Sequence, residues 1–365
     1  MTLVQVHVRK DELTNAVLAE ADSGALAEGA VRLKVESFSV TANNITYAVV
    51  GDGFGYWNFF PPATENPEGL GIVPMWGHAK VVESNNAEIA VGERVYGYLP
   101  MGSELDVVPG NVSAGSFADM SAHRQPMSPI YNQYSRLAAD PEHDPAREAE
   151  RMIYGPLFKT GFIIDYFMRS EGWFDAGEVI LTSASSKTAM GLASVAKQNS
   201  PHIKRVGLTS AGNIDFVEST GLYDKVLSYD EIGNLPINAC VTVDFAGNAE
   251  VLGKLHHHFG DTLKYSCLVG ATHIEARSSM GGGASDLPGP KPILFFAPDH
   301  FVAFFKEHGP ADGGMMIAKT WHGFLSAVEG TVEIVKLSGL EAARTTYLEM
   351  VGGSVDPAKG IVIEP

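Results

Sequence analysis

Val179-Ile-Leu-Thr-Ser-Ala-Ser-Ser-Lys-Thr-Ala-Met-Gly-Leu-Ala193 decides the fold, because an apolar strand breaks there into small hydroxylated residues and resumes as an Ala/Met/Leu-rich helix. A buried parallel strand that feeds a tight turn leaves the next helix pointing its unpaired N–H groups and positive dipole end at an anion. That is the layout of a dinucleotide pocket. The glycines usual in this turn are absent: Ser183 and Ser186 stand where close backbone approach is needed, and Ala189 where the helix packs on the sheet. The hydroxyls of Ser183, Ser185, Ser186 and Thr188 can replace lost backbone contacts to phosphate, and Lys187 adds positive charge beside them. The same strand–turn–helix unit is also ordinary α/β architecture, so its context must carry the argument.

Downstream, strands at 204–209, 225–229, 239–246 and 263–269 alternate with helices at 214–219 and 249–259. Near-continuous apolar strands alternating with amphipathic helices predict a parallel sheet covered on both faces. The fold class is therefore α/β, with a doubly wound cofactor domain.

The length of 365 residues suggests two domains. A formal net charge of −17 argues against nucleic acid or an anionic membrane as partner, since phosphates would be repelled. A small-molecule ligand is expected instead. Cys240 and Cys267 both fall in predicted buried strands, where cysteine acts as a small hydrophobe. No apolar run reaches membrane-spanning length and the first residues lack a signal-peptide layout, so a soluble, cytoplasmic protein is expected.

The N-terminal half reads as β-rich, with strands at 30–41, 74–83, 93–100 and 116–122 separated by Gly, Pro and Asn. The charged stretch at 140–151 reads as a solvated connection. At the other end, strand 331–337, helix 340–351 and strand 360–364 follow the cofactor domain, so the tail is expected to return to the first domain. Residues 278–290, rich in Gly, Ser and Pro, read as a loop.

A discontinuous β domain, an inserted dinucleotide domain and a returning tail together resemble the medium-chain dehydrogenase/reductase superfamily. Local patterns agree: Val91-Gly-Glu-Arg-Val-Tyr-Gly97 is similar to its "GDRV" turn, Gly115-Ser-Phe-Ala-Asp-Met to its "G-x-[FY]-A-[ED]" strand, and Ala358-Lys-Gly-Ile-Val-Ile to its terminal "GK-x-V" strand. Val31 to Tyr47 resembles the segment leading into its active site. Asn-Asn-Ile-Thr-Tyr and Gly-Glu-Arg-Val-Tyr-Gly-Tyr-Leu-Pro further resemble a little-characterised family of that superfamily. The resemblance implies a GroES-like catalytic domain (1–153 and 311–365), a Rossmann domain (154–310) and a homodimer paired through an edge strand near Pro290–Ala297.

The alcohol dehydrogenase branch holds zinc with a cysteine, a "GHE" histidine and a third ligand. Here Asn43 falls at the cysteine position and Gly77-His78-Ala79 keeps only the histidine, so no metal site is expected and His78 reads as a satisfied structural histidine. The run His256-His-His258 reads as surface. Without a Lewis acid to lower a hydroxyl pKa, alcohol oxidation is disfavoured, whereas reduction of an activated double bond needs no metal.

Resemblance to the zinc-free quinone-oxidoreductase and enoyl-reductase branches implies Asn43 near the nicotinamide, although Thr46 replaces the acid that usually follows. Tyr56 stands where some enoyl reductases carry a donor, and a phenol can hydrogen-bond an oxyanion without ionising at neutral pH. Tyr47 and Tyr56 read equally as lining residues of an aromatic-rich segment, which points to an apolar or aromatic substrate.

NAD enzymes commonly carry an acid after the second strand, whereas a 2′-phosphate wants hydroxyls, amides and a cation. Thr209, Ser210 and Asn213 supply the latter and Lys187 a charge, so NADPH is expected over NADH, with Asp215 as counter-evidence. By resemblance, Lys159-Thr160-Gly161 is the "TA" helix start beside the cofactor, Phe245 and Gly247 lie near the ribose, and Val269, Gly270 and Ala271 flank the nicotinamide. The expected activity is zinc-independent, NADPH-dependent reduction of an enone, enoyl or quinone substrate. A carbonyl reductase and a non-catalytic nucleotide-binding protein are the alternatives.

Overall fold

A computed structural model describes residues 2–245, 247–269, 287–353 and 356–365. The chain forms two compact units, Met1–Ile153 with Ile334–Pro365, and Tyr154–Glu333.

The second unit is built on a six-stranded sheet, ordered Lys225–Ser228, Lys204–Thr209, Glu178–Leu181, Cys240–Asp244, Leu263–Leu268 and Ile293–Leu294. All neighbours run parallel. In chain order this is 3-2-1-4-5-6, the doubly wound arrangement with its switch point between the first and fourth strands. Glu178–Leu181 and Cys240–Asp244 are buried at every position, as a sheet covered on both faces requires. Cys240 and Cys267 are buried free thiols. The helices Ile214–Ser219 and Ala249–Phe259 keep the bounds that periodicity predicts.

Two expectations for this unit change. His256 is not at the surface: it is fully buried, its Nδ1–H donating to the Pro288 carbonyl at 2.9 Å and its Nε2 accepting from Ser266 Oγ at 2.9 Å. Its position on the helix, one residue beyond buried Leu255, puts it on the apolar face rather than with exposed His257. The unit also extends past residue 310, where the first domain was expected to resume. Helix Ala297–Ala327 bends at Gly309, which takes a φ of 76° ahead of Pro310, and then continues, so the chain returns only after Glu333.

The first unit centres on Val31–Val40, which pairs antiparallel with Pro74–Ser84, Glu104–Val107 and the C-terminal strand Lys359–Glu364. Its nine-stranded sheet accompanies a three-stranded one formed by Glu12–Asp22, Thr2–Arg9 and Leu70–Gly71. The stretch 140–151 is not a solvated connection. Asp140 and Arg151 are buried and bonded to each other, and the Arg151 guanidinium lies 4.2 Å from the Tyr96 ring centroid. Glu148 accepts from Arg94 at 2.7 and 3.0 Å and bonds His143 at 2.9 Å. The mixed charges that suggested water are instead paired with one another and with the sheet.

Among the described residues, no helix is long and apolar enough to cross a membrane.

Candidate functional site

The turn after strand Glu178–Leu181 holds Ser183 in the left-handed region at a φ of 47°, a conformation that ordinarily selects glycine. Its N–H donates to the Tyr229 hydroxyl at 2.9 Å, and the two side-chain oxygens are 3.4 Å apart. Tyr229 follows the third strand and was not among the expected site residues. Its one sequence signal is a tyrosine at the carboxyl end of a sheet strand.

Ser186 caps helix Lys187–Asn199, its Oγ accepting the Ala189 N–H at 3.2 Å, so Lys187 and Thr188 are the helix's first residues. Ala189 is fully buried, as tight packing on the sheet demands. The Ser185 Oγ accepts from Asn213 Nδ2 at 3.3 Å and sits 3.5 Å from Thr209 Oγ1. These three side chains converge from the first turn and the end of the second strand. Ser210 is exposed just beyond, its carbonyl accepting the Asn213 N–H at 2.9 Å.

Asp244 ties the neighbouring strand ends together. Its carboxylate accepts the Thr182 hydroxyl and the Gly247 N–H, and its carbonyl accepts the Val269 N–H at 2.8 Å. The Phe245 N–H donates to Thr182 Oγ1 at 3.1 Å. Phe245, Gly247 and Val269 are thus held as one group, while Gly270 and Ala271 lie outside the described residues. Thr160 does not start a helix: it lies within Glu148–Ser170, its hydroxyl donating to the Pro156 carbonyl at 3.2 Å. The helix begins a dozen residues earlier than the motif suggests because acidic Glu148 and Glu150 fill its first turn and Pro156 does not stop it.

In the first unit, Asn43 and Tyr47 share the short helix Ala42–Val49, one turn apart, so the Asn43 amide donates to the Tyr47 hydroxyl at 2.7 Å. Trp76 Nε1 donates to the same oxygen at 3.0 Å. Tyr56 packs on Tyr47, ring centroids 4.6 Å apart, and its hydroxyl is 2.9 Å from that of Tyr131. The structure therefore brings Asn43, Tyr47 and Tyr56 together and adds Trp76, Tyr98 and Tyr131. Tyr131 could not be found from spacing, since it lies in a Pro/Asn/Gln-rich stretch 75 residues from its partner. Burial drives all these phenols upward, Tyr47 to about 12 and Tyr56, Tyr98 and Tyr131 higher still.

His78 is fully buried, but neither ring nitrogen has a hydrogen bond, so it is structural without being satisfied. Desolvation lowers its pKa to about 3 and keeps the ring neutral. Among the described residues, no three His, Cys, Asp or Glu side chains are grouped to hold a metal ion.

The family model described as "Protein of unknown function (DUF2855)" matches residues 38–356. The chain belongs to this family. Comparison with curated proteins gives no match. Among solved structures, the DUF2855 chain is similar to CurA from Vibrio vulnificus, with 14% identity, a TM-score of 0.60 and coverage of 99% of this chain and 98% of that one. It is also similar to the yhdH oxidoreductase from Salmonella enterica, solved in complex with NADP, at 15% identity and a TM-score of 0.57 over the whole of both chains. A mutant form of enoyl thioester reductase from Candida tropicalis gives 10% identity and a TM-score of 0.56, again over both whole chains. These likenesses show a shared fold over the whole chain, a β-rich unit together with a doubly wound parallel-sheet unit.

Proposed function

We propose that this chain is an NADPH-dependent oxidoreductase that reduces an activated C=C bond or a quinone without zinc. The observation that carries the proposal is the convergence of Ser185, Thr209 and Asn213 at the end of the second strand, where an NAD enzyme commonly carries an acid. Hydroxyl and amide donors suit a 2′-phosphate, and Lys187 in the first helical turn brings the cation such a group needs. The donor set therefore fits NADPH. The N-terminus of helix Lys187–Asn199 offers its backbone N–H groups to a pyrophosphate. Structures of similar fold carry NADP or NADPH, which supports the choice.

NADPH, when bound, supplies a hydride. The first unit's side chains supply neutral donors: burial keeps Tyr47 and Tyr56 protonated well beyond neutral pH, so each offers an O–H to an oxygen that gains charge. Asn43 orients Tyr47 through the 2.7 Å bond. The aromatic surroundings favour a small apolar or aromatic substrate. Asn43 at the cysteine position and Ala79 in place of glutamate support the zinc-independent form.

Titration of purified protein with NADPH and with NADH, following nicotinamide fluorescence, tests this. Tight binding of NADPH alone, lost in Ser185→Ala with Asn213→Ala, is expected. Binding of neither nucleotide would end the reductase proposal. Turnover of aldehydes but not enones or quinones would favour a carbonyl reductase.

A further inference from the structure

The four phenols of the first unit have more protons to donate than they use on one another. Tyr56 and Tyr131 share a single hydrogen bond of 2.9 Å, which consumes one of their two hydroxyl protons. Either hydroxyl can be the donor, so the pair keeps one O–H for a ligand, and Tyr131 is the more exposed of the two residues. The Tyr47 oxygen already accepts from Asn43 and Trp76, leaving its own proton uncommitted by those bonds. Tyr98 is wholly buried with its ring 4.9 Å from Tyr131 and 5.4 Å from Tyr47, and its hydroxyl interacts with that of Tyr47. Two contacts among four hydroxyls leave two O–H groups for which a ligand can supply an acceptor.

The cluster is held rigidly. Arg124, fully buried, donates through Nη2 to the Tyr131 carbonyl at 2.7 Å, through Nη1 to Asp119 and the Tyr134 hydroxyl, and through Nε to Asn132 at 3.1 Å. The same guanidinium lies 5.2 and 5.3 Å from the ring centroids of Phe59 and Phe60, three and four residues after Tyr56. Its charge is matched by Asp119, so it positions Tyr131 rather than attracting an anion. A carboxylate or phosphate prefers cations in bidentate geometry, which these donors do not provide. Neutral phenols set among flat rings suit instead a delocalised oxyanion on a planar frame.

We propose that Tyr131 presents the outward hydroxyl of a phenol-lined site, backed by Tyr56 and flanked by Tyr47, that binds planar delocalised oxyanions such as a phenolate or an enolate. The enolate form rests on the reductase proposal, and the phenolate form does not. The contact is a hydrogen bond only, so no bond to the tyrosines forms or breaks.

The test uses the full chain without cofactor, titrated with 4-nitrophenol at a pH where it is ionised, following the visible phenolate band. Hydrogen bonding from the tyrosines stabilises the phenolate ground state, so the bound band should lie at shorter wavelength in the wild-type protein than in Tyr131→Phe. Tyr131→Phe should bind the phenolate about tenfold or more weaker, the value of one hydrogen bond to a charged group. 4-Nitroanisole, which has the ring without the oxyanion, should bind both proteins equally. No phenolate binding by the wild type, or equal phenolate affinity and band position in Tyr131→Phe, would overturn the proposal. The preference of the wild-type protein for 4-nitrophenolate over 4-nitroanisole needs no variant, and equal affinity for the two would overturn the proposal even if Tyr131→Phe fails to fold. Phenolate binding in a protein that takes up neither nucleotide would keep this site and end the reductase proposal, and the converse result would do the reverse.

Discussion

Ser183 shows how a residue can depart from the common pattern and still keep its conformation. A left-handed φ costs a non-glycine residue about 1 kcal/mol, and the bond from its N–H to Tyr229 returns a contribution of the same order. The hydroxyls of the turn were legible because they follow a strand directly, whereas Tyr229 lies 46 residues away and only the folded sheet brings it there. His78 was legible as a candidate for burial, but its lack of hydrogen bonds had no sequence signal. That isolation has a consequence for stability. Desolvation places its folded pKa at about 3, below the ordinary histidine value of 6.5, so the unfolded chain binds a proton that the folded one refuses. The stabilising contribution is therefore complete above pH 6.5 and falls as pH drops toward 3, by up to about 1.4 kcal/mol per unit. His78→Leu should close up to about 2 kcal/mol of the gap between urea stabilities at pH 7 and pH 5. An unchanged gap, or a His78 ring that titrates near pH 6 by NMR, would show that the histidine reaches water.

Elements with a clean apolar period were legible to within a residue or two, as Ala249–Phe259 and Leu340–Val351 illustrate. Helix Glu148–Ser170 was not, because Gly155, Pro156 and Gly161 break the propensity signal across its centre. Packing explains Gly161. A Cβ there would lie 2.4 Å from the Leu192 backbone nitrogen in helix Lys187–Asn199, and one on Gly191 would lie 3.0 Å from the Phe158 Cα. The two helices therefore meet backbone to backbone, at a contact no single-helix propensity can express. Gly161→Ala sets two effects against each other. Helix propensity favours alanine by about 1 kcal/mol, whereas a methyl driven into backbone costs about 1–3 kcal/mol and sits at the upper end because the backbone cannot swing aside. The clash should win, and urea denaturation should show a net loss of about 2 kcal/mol. A gain in stability would mean that the helices separate easily.

At the scale of the whole molecule, the doubly wound parallel sheet and the return of the C-terminal strand were legible because such connections obey few rules. The tyrosine cluster was legible only in part, since Tyr56 and Tyr131 meet through loops whose paths no periodicity fixes. The sheet order also identifies its vulnerable side. Ile293–Leu294 is the last strand, bonded on one side to Leu263–Leu268 and, among the described residues, to no strand on the other. Ile293 is 50% and Leu294 43% exposed, an apolar edge that invites another strand. Pro290 and Pro292 lack N–H donors, which keeps the edge short and favours one closed pairing over open-ended association. Exposed Val302 and Met315 on helix Ala297–Ala327 extend the apolar surface of the same unit. Two copies related by a twofold axis would cover both edges at once, so we expect a dimer sedimenting at twice 39.0 kDa. Ile293→Lys places a charge on the exposed edge without entering the core and should yield a folded monomer. A wild-type monomer at micromolar concentration would instead mean that the short, proline-flanked edge is protection enough by itself.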